Sequence, residues 1–138
     1  MSARYLLDKS ALARMIRAPV RRRLAPIIEA GAAASCAIVD LEVLFSARAY
    51  EDYVETRRRR SLAYYRVPLT DETFQRALDV QQELAKIGHH RLPIPDLIVS
   101  AAAELASLTV LHYDSDFDTI ARITGQSMEW VVERGSVP

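Results

Sequence analysis

The chain has 138 residues, of which 50% are hydrophobic, and it contains one cysteine. This length fits a single domain over residues 1–138, and the apolar fraction is sufficient for a hydrophobic core. The lone Cys36 excludes an internal disulfide framework and a four-cysteine zinc site, and a free thiol is typical of a reducing compartment. No apolar run approaches the roughly 20 residues of a membrane span, and the first residues lack the pattern of a signal peptide. We therefore expect a soluble cytoplasmic protein that makes no membrane contact.

The 18 basic and 18 acidic side chains are unevenly distributed along the chain. Residues 1–70 contain 13 basic and 7 acidic side chains, whereas residues 71–138 contain 5 basic and 11 acidic ones. Arginine supplies every basic residue except Lys9 and Lys86, and its planar guanidinium matches phosphate as well as carboxylate. A net charge of zero ordinarily argues against nucleic-acid binding, but separated charge leaves that function open.

Short apolar segments alternate with amphipathic ones, which predicts strands alternating with helices. The predicted strands are residues 4–7, 34–39, 66–69, 109–113 and 128–132. The predicted helices are residues 10–16, 19–30, 40 to about 64, 70–88, 96–107 and 116–123. The large apolar side chains expected in the core include Phe45, Phe74, Leu78 and Trp130. This alternation indicates an α/β fold with a mainly parallel central sheet covered by helices on both faces.

Five acidic side chains lie where predicted strands end or predicted helices begin. They are Asp8, Glu42, Asp96, Asp114 and Asp116. Each one alone has an ordinary explanation, because a carboxylate at a helix N-terminus accepts hydrogen bonds from free N–H groups. Together they meet at one edge of a parallel sheet, where ionised carboxylates raise one another's pKa unless a cation neutralises them. An all-oxygen site of this kind suits Mg²⁺ or Mn²⁺.

Other interpretations of nearby residues fit the sequence less well. Asp40 and Glu42 are two residues apart and point in different directions on a helix, so we assign Asp40 to the helix N-cap and Glu42 to the acidic site. The segment from Asp114 begins like a calcium-binding loop, but it lacks the Gly and Glu that an EF-hand needs at positions six and twelve. The three histidines and Cys36 lack the spacing of a zinc site.

Four segments resemble, in order, the acidic motifs of PIN-domain ribonucleases, and more narrowly those of the VapC toxins of bacterial toxin–antitoxin pairs. The segments are Leu6-Leu7-Asp8-Lys9-Ser10, Glu42 opening the long helix, Pro95-Asp96-Leu97-Ile98-Val99-Ser100-Ala101-Ala102, and Tyr113-Asp114-Ser115-Asp116-Phe117. The resemblance covers nearly the whole chain in both order and spacing. It implies a PIN-like three-layer α/β/α sandwich.

The resemblance also implies a site, an activity and partners. The implied catalytic residues are Asp8, Glu42, Asp96 and Asp114. The implied ligands of Mg²⁺ or Mn²⁺ are Asp8, Asp96, Asp114 and Asp116. Ser10 stands where the family has a Ser or Thr that supports the first aspartate, whereas His112 replaces the usual Thr two residues before Asp114 and leaves the support of that acid open. The family implies a metal-dependent endoribonuclease, often a homodimer, that is inhibited by a small antitoxin protein.

A run of four arginines near the end of the long helix is the candidate RNA-binding segment. It consists of Arg57, Arg58, Arg59 and Arg60. A basic run is most often a solvated helix face. An acidic pocket repels RNA, however, so basic side chains around it would be needed to hold the phosphates.

Two other functions remain open. A catalytically silent PIN-like module would bind RNA or protein through the same acidic crevice. Another Mg²⁺-dependent phosphoryl-transfer fold, such as a phosphatase or a receiver domain, fits the sequence less well. A receiver needs paired acids at the first strand and a lysine late in the chain, whereas the only lysines here are Lys9 and Lys86.

Overall fold

The computed structural model describes residues 2–138, which form five strands and seven helices. The strands are β1 (Tyr5–Leu7), β2 (Ala33–Ser35), β3 (Tyr65–Arg66), β4 (Thr109–His112) and β5 (Met128–Trp130). The helices are α1 (Lys9–Leu12), α2 (Ala18–Glu29), α3 (Ala37–Leu44), α4 (Tyr50–Ala63), α5 (Asp71–Ala85), α6 (Ile94–Leu105) and α7 (Asp116–Thr124). The strands form one sheet in the order β3-β2-β1-β4-β5, and every pairing is parallel. The predicted α/β fold with a parallel central sheet is confirmed.

Helices cover both faces of this sheet. Neighbouring residues of a strand point to opposite faces, and Leu6 and Leu7 of β1 are fully buried in two different hydrophobic clusters. Leu6 shares its cluster with side chains of α5, α6 and α7. Leu7 packs in the other cluster with Val20 and Leu24 of α2. The result is the three-layer α/β/α arrangement that the resemblance implied.

Several large apolar side chains expected in the core lie at the surface instead. Phe45 is 89% exposed, and Phe74 and Leu78 are also exposed, while Trp130 is half-buried. Their helices bury smaller side chains, such as Ala77, on the faces that meet the sheet. This exposed apolar surface does not belong to a membrane span, because no helix within residues 2–138 is long and apolar enough to cross a bilayer.

The second strand is shorter than predicted, since β2 ends at Ser35 and α3 begins at Ala37. A short apolar run fits a buried helix as well as a buried strand, so its composition does not distinguish the two. Here Val39 is fully buried as part of a helix. The N-cap of α3 is Cys36, and Asp40 lies inside the first turn. The assignment of Asp40 to the N-cap is therefore wrong.

The predicted long helix is two helices, α3 and α4, separated by residues 45–49. Neither Gly nor Pro marks this break. The second helix has its own start, because Ala49 is extended and Asp52 accepts a hydrogen bond from the Arg48 backbone N–H at 3.2 Å. Acidic residues in a first helical turn are favourable, and this was the available sequence signal. The first helix is also shorter than predicted, since α1 covers only Lys9–Leu12.

Polar contacts attach α4 to the edge of the sheet. One oxygen of Asp40 accepts hydrogen bonds from Ser35 Oγ at 2.8 Å and Arg60 Nε at 3.1 Å, and the other accepts from Arg66 at 2.6 Å. Arg60 also donates to Ser35 Oγ at 2.9 Å and lies 4.6 Å from the ring centre of Tyr64. Because α4 buries no side chain completely, we infer that these contacts fix its position.

We expect Arg60→Gln to lower the free energy of unfolding by about 2 kcal/mol, because it leaves Asp40 without a partner in a largely buried pair. The two side chains are only 10% and 17% exposed. As a control, Arg58→Gln removes the same charge from an exposed pair with Glu55 and should change stability little. Urea unfolding measures both variants, and equal effects would show that the Asp40 contacts do not hold α4 in place.

Candidate metal centre

The acidic side chains meet at the carboxyl edge of the sheet. Asp8 follows β1, Asp114 follows β4, and Asp116 begins α7. Asp96 lies in the first turn of α6. Carboxylate oxygens of Asp96, Asp114 and Asp116 lie within 4.8 Å of one another. The structure therefore brings these three predicted ligands together, with Asp8 and Glu42 near enough for their charges to act on Asp96.

Asp8 is held by a serine that also joins the two central strands. One Asp8 oxygen accepts hydrogen bonds from Ser10 N–H at 2.9 Å and Ser10 Oγ at 2.6 Å. The Ser10 oxygen in turn accepts a hydrogen bond from the Tyr113 backbone N–H at 2.9 Å. Burial raises the pKa of Asp8 despite these hydrogen bonds, and the charge of Asp114 adds to the rise. Ser10 thus supports Asp8 and ties the end of β4 to it.

Asp96 differs from an ordinary helix cap. The N-cap of α6 is Pro93, and Asp96 makes no capping hydrogen bond. The Asp96 carboxyl is 9% exposed, and its Oδ2 atom has no hydrogen-bond partner among the described residues. Burial, followed by the charges of Asp8 and the other site acids, raises the pKa of Asp96 to about 8. A buried carboxylate oxygen without a donor is stabilised by a proton or a cation.

Asp114 and Asp116 are connected at the start of α7. Asp114 Oδ1 accepts a hydrogen bond from the Asp116 backbone N–H at 2.9 Å. The pKa of Asp116 is raised by burial and by the charge of Asp114. This geometry places a second pair of carboxylates opposite Asp96, and it leaves the other Asp114 oxygen outside the turn.

His112 supplies the support for Asp114 that the sequence left open. Its Nδ1 atom accepts a hydrogen bond from the Asp114 backbone N–H at 3.2 Å. The ring is fully buried, with its centre 4.9 Å from that of Phe117 and 5.1 Å from that of Trp130. Burial lowers the pKa of His112 to about 4, so the imidazole is neutral at pH 7 and Nδ1 can accept.

Glu42 lies farther from the cluster than the sequence suggested. Because α3 begins at Ala37, Glu42 belongs to its second turn rather than its first. Burial and the charge of Asp8 raise the pKa of Glu42, while Lys9 lowers it. Glu42 therefore borders the site on the side of Asp8, and it is not one of the three acids whose oxygens lie within 4.8 Å.

The donors present fit a hard divalent cation. Within residues 2–138 the one group of potential ligands that converges consists of carboxylates, which Mg²⁺ and Mn²⁺ prefer. The unpartnered Asp96 oxygen is an acceptor that such an ion would satisfy. His89 and His90 are exposed in the loop before α6, and Cys36 is buried at the start of α3. These side chains do not form a zinc site among the described residues.

Comparison with known proteins agrees with this fold and site. Residues 5–123 match the family model of the PIN domain, and the chain therefore belongs to the PIN-domain family. It is 48% identical to Ribonuclease VapC21 of Mycobacterium tuberculosis over 139 aligned positions, which cover 99% of each chain. It is 42% identical to Ribonuclease VapC51 of the same organism, also with 99% of each chain covered.

The solved structures support the fold independently. A DNA-bound VapBC complex from Salmonella typhimurium contains a chain that matches 94% of this chain and 99% of its own length. The TM-score is 0.76 at 16% sequence identity. At this identity the likeness establishes the shared fold alone.

The four candidate RNA-binding arginines have different surroundings. Arg58 and Arg59 both bind Glu55, at 2.7 and 3.0 Å. Arg60 is occupied by Asp40. Arg57 makes no hydrogen bond or ion pair with residues 2–138 and lines a cleft between α3 and α4. RNA binding by this run stays a prediction, and Arg57 is its member with an uncompensated charge in the described structure.

Proposed function

We propose that this protein is a metal-dependent endoribonuclease that acts as the toxin of a toxin–antitoxin pair. The observation that carries the proposal is the convergence of Asp96, Asp114 and Asp116 around a buried, unpartnered carboxylate oxygen. The names of its relatives, Ribonuclease VapC21 and Ribonuclease VapC51, support RNA as the substrate.

The side chains divide the work of such a reaction. Asp8, Asp96, Asp114 and Asp116 would hold Mg²⁺ or Mn²⁺. The bound ion would supply a water of lowered pKa and neutralise charge on the phosphate. Ser10 fixes the orientation of Asp8, and His112 fixes the backbone of Asp114. Glu42, whose pKa is raised, is placed at the border of the site to accept a proton from the attacking water.

The proposal includes two protein partners, a small antitoxin and a second copy of the chain. Exposed apolar side chains support partners of this kind, because contiguous apolar surface is uncommon on monomers. They occur on α3 and α4, where Leu41, Phe45 and Tyr50 are exposed, and on α5, where Phe74 and Leu78 are exposed.

The first test is cleavage of RNA by the purified protein. We expect wild-type protein with Mn²⁺ to produce discrete new 5′-phosphate ends in total RNA from the source organism. Asp8→Asn should produce none at equal concentration, because the change removes a ligand charge and nearly preserves shape. Circular dichroism would verify that the variant is folded. Cleavage by folded Asp8→Asn would contradict the site, and its absence in the wild type would favour a catalytically silent binding module.

A further inference from the structure

Two aromatic rings and two guanidinium groups form a continuous row at the surface. The Cζ atom of Arg14 lies 4.4 Å from the ring centre of Tyr113. Tyr113 meets Trp130 edge to face, with ring centres 5.3 Å apart and planes at 81°. Arg134 Cζ lies 5.4 Å from the Trp130 ring centre. We call these four side chains the arginine–aromatic row.

The row lies directly beside the acidic site. Tyr113 is the residue before Asp114, and its backbone N–H binds the same Ser10 oxygen that supports Asp8. Trp130 ends β5 and is paired in register with His112 of β4. The row therefore occupies the carboxyl edge of the sheet on the β5 side, next to the acids that border the proposed reaction.

Both rings are fixed in place. The Tyr113 hydroxyl donates a hydrogen bond to the Val137 carbonyl at 2.8 Å and accepts one from the Val137 N–H at 3.1 Å. The indole N–H of Trp130 donates to the Asp118 carboxylate at 3.2 Å. Both rings are half-buried, so part of each is accessible. A rigid surface of this kind binds at a small cost in conformational entropy.

The two arginines keep their charge available. Neither Arg14 nor Arg134 forms an ion pair with any residue in the described part of the chain. Arg14 makes a hydrogen bond only to the Ser10 carbonyl, at 2.7 Å. By contrast, Arg58, Arg59 and Arg60 are all paired with carboxylates. Guanidinium groups stacked on rings retain N–H donors that suit phosphate.

We propose that the arginine–aromatic row binds single-stranded RNA next to the bond that is cut, with the arginines on phosphates and the rings against bases. Bases stack on aromatic side chains and on guanidinium planes in such complexes. The inference rests on the proposed function, because only a phosphodiester held at the acids brings RNA to this edge. RNA fits better than a protein partner because the exposed aliphatic side chains concentrate on α3–α4 and α5–α6.

The sole tryptophan makes the row observable. Asp8→Asn serves as a background that binds RNA without cutting it, and a 12-nucleotide single-stranded RNA is the probe. We expect the RNA to quench Trp130 fluorescence as bases stack. Long-chain polyphosphate should compete for the arginines but should not quench, because it has no bases. Equal quenching by polyphosphate would overturn the stacking contact.

Replacing both arginines in the same background tests the phosphate contacts. We expect Arg14→Gln/Arg134→Gln to weaken RNA binding about tenfold at low salt and to flatten the log–log salt dependence by about 0.7 for each contact. The matched control is Arg4→Gln/Arg122→Gln, which removes the same charge far from the acids. Arg4 also lies over a ring, 5.6 Å from that of Tyr5, and it precedes β1 at the opposite edge of the sheet.

The outcomes separate this inference from the proposed function. Equal loss of affinity in both double variants would reduce the effect to general charge and overturn the row. Unchanged affinity in Arg14→Gln/Arg134→Gln, when wild-type protein still cleaves RNA, would overturn the row and leave the proposed function standing. Failure of wild-type protein to bind or cleave any RNA would overturn both.

Discussion

Asp96→Asn is expected to abolish RNA cleavage and, at the same time, to raise the melting temperature of the metal-free protein at pH 8. The pKa of Asp96 is raised from 3.8 to about 8, so between these values the folded state binds a proton that the unfolded state has released. The free energy of unfolding then falls as pH rises through this window, by up to about 1.4 kcal/mol per pH unit. Asparagine stays neutral and avoids this loss.

Thermal unfolding with EDTA at pH 5 and pH 8 measures this effect. We expect stabilisation of about 5 °C or more at pH 8 and clearly less at pH 5, where the wild-type acid is still protonated when folded. Asp79→Asn, an exposed change on α5, is the matched control and should show no such pH dependence. Cleavage should fall about a thousandfold or more, since the change removes a ligand. A variant less stable than wild type at pH 8 would contradict this account of Asp96.

Divalent metal is expected to stabilise the wild-type protein strongly and in a pH-dependent way. At a Mn²⁺ concentration 100 times its Kd, binding to the folded state adds about 2.7 kcal/mol. Because Asp96 carries a proton at neutral pH, the ion must displace it, and affinity should rise from pH 6 until the pH exceeds about 8. Calorimetric titration in buffers of different ionisation enthalpy would detect the released proton.

Asp114→Asn provides the comparison for the metal experiment. It removes one of the three converging carboxylates while keeping the hydrogen-bond acceptor for Asp116, and it should bind Mn²⁺ at least tenfold more weakly. An affinity that is the same at pH 6 and pH 8 would show that the ion does not displace the Asp96 proton. Equal affinity of Asp114→Asn and wild type would place the ion elsewhere.

The sequence was informative about everything that repeats along the chain or follows from strand order. Alternating apolar segments predicted the parallel sheet and its helices, and the edge rule placed the acids together. Those predictions succeed because periodicity and strand direction are local properties. They do not depend on how individual side chains meet.

The details that sequence reasoning missed depend on contacts between distant residues. The break after α3 and the role of Asp40 follow from the approach of Arg60 and Arg66, which no linear pattern reveals. The same is true of His112, whose Nδ1 faces the Asp114 backbone only because the strand end turns there. The unpartnered oxygen of Asp96 is visible only when every potential donor around it has been placed.

The hydrogen bond from Tyr113 to Ser10 spans 103 positions of the chain. It joins two central strands, one made at the beginning of synthesis and the other near its end. A ribosome must therefore release almost the whole chain before Asp8 and Asp114 can share one site. A nascent or C-terminally truncated chain cannot assemble these acids, so we expect it to leave the RNA around it intact. The order of synthesis thus protects the cell that makes the enzyme until the last third of the chain has emerged.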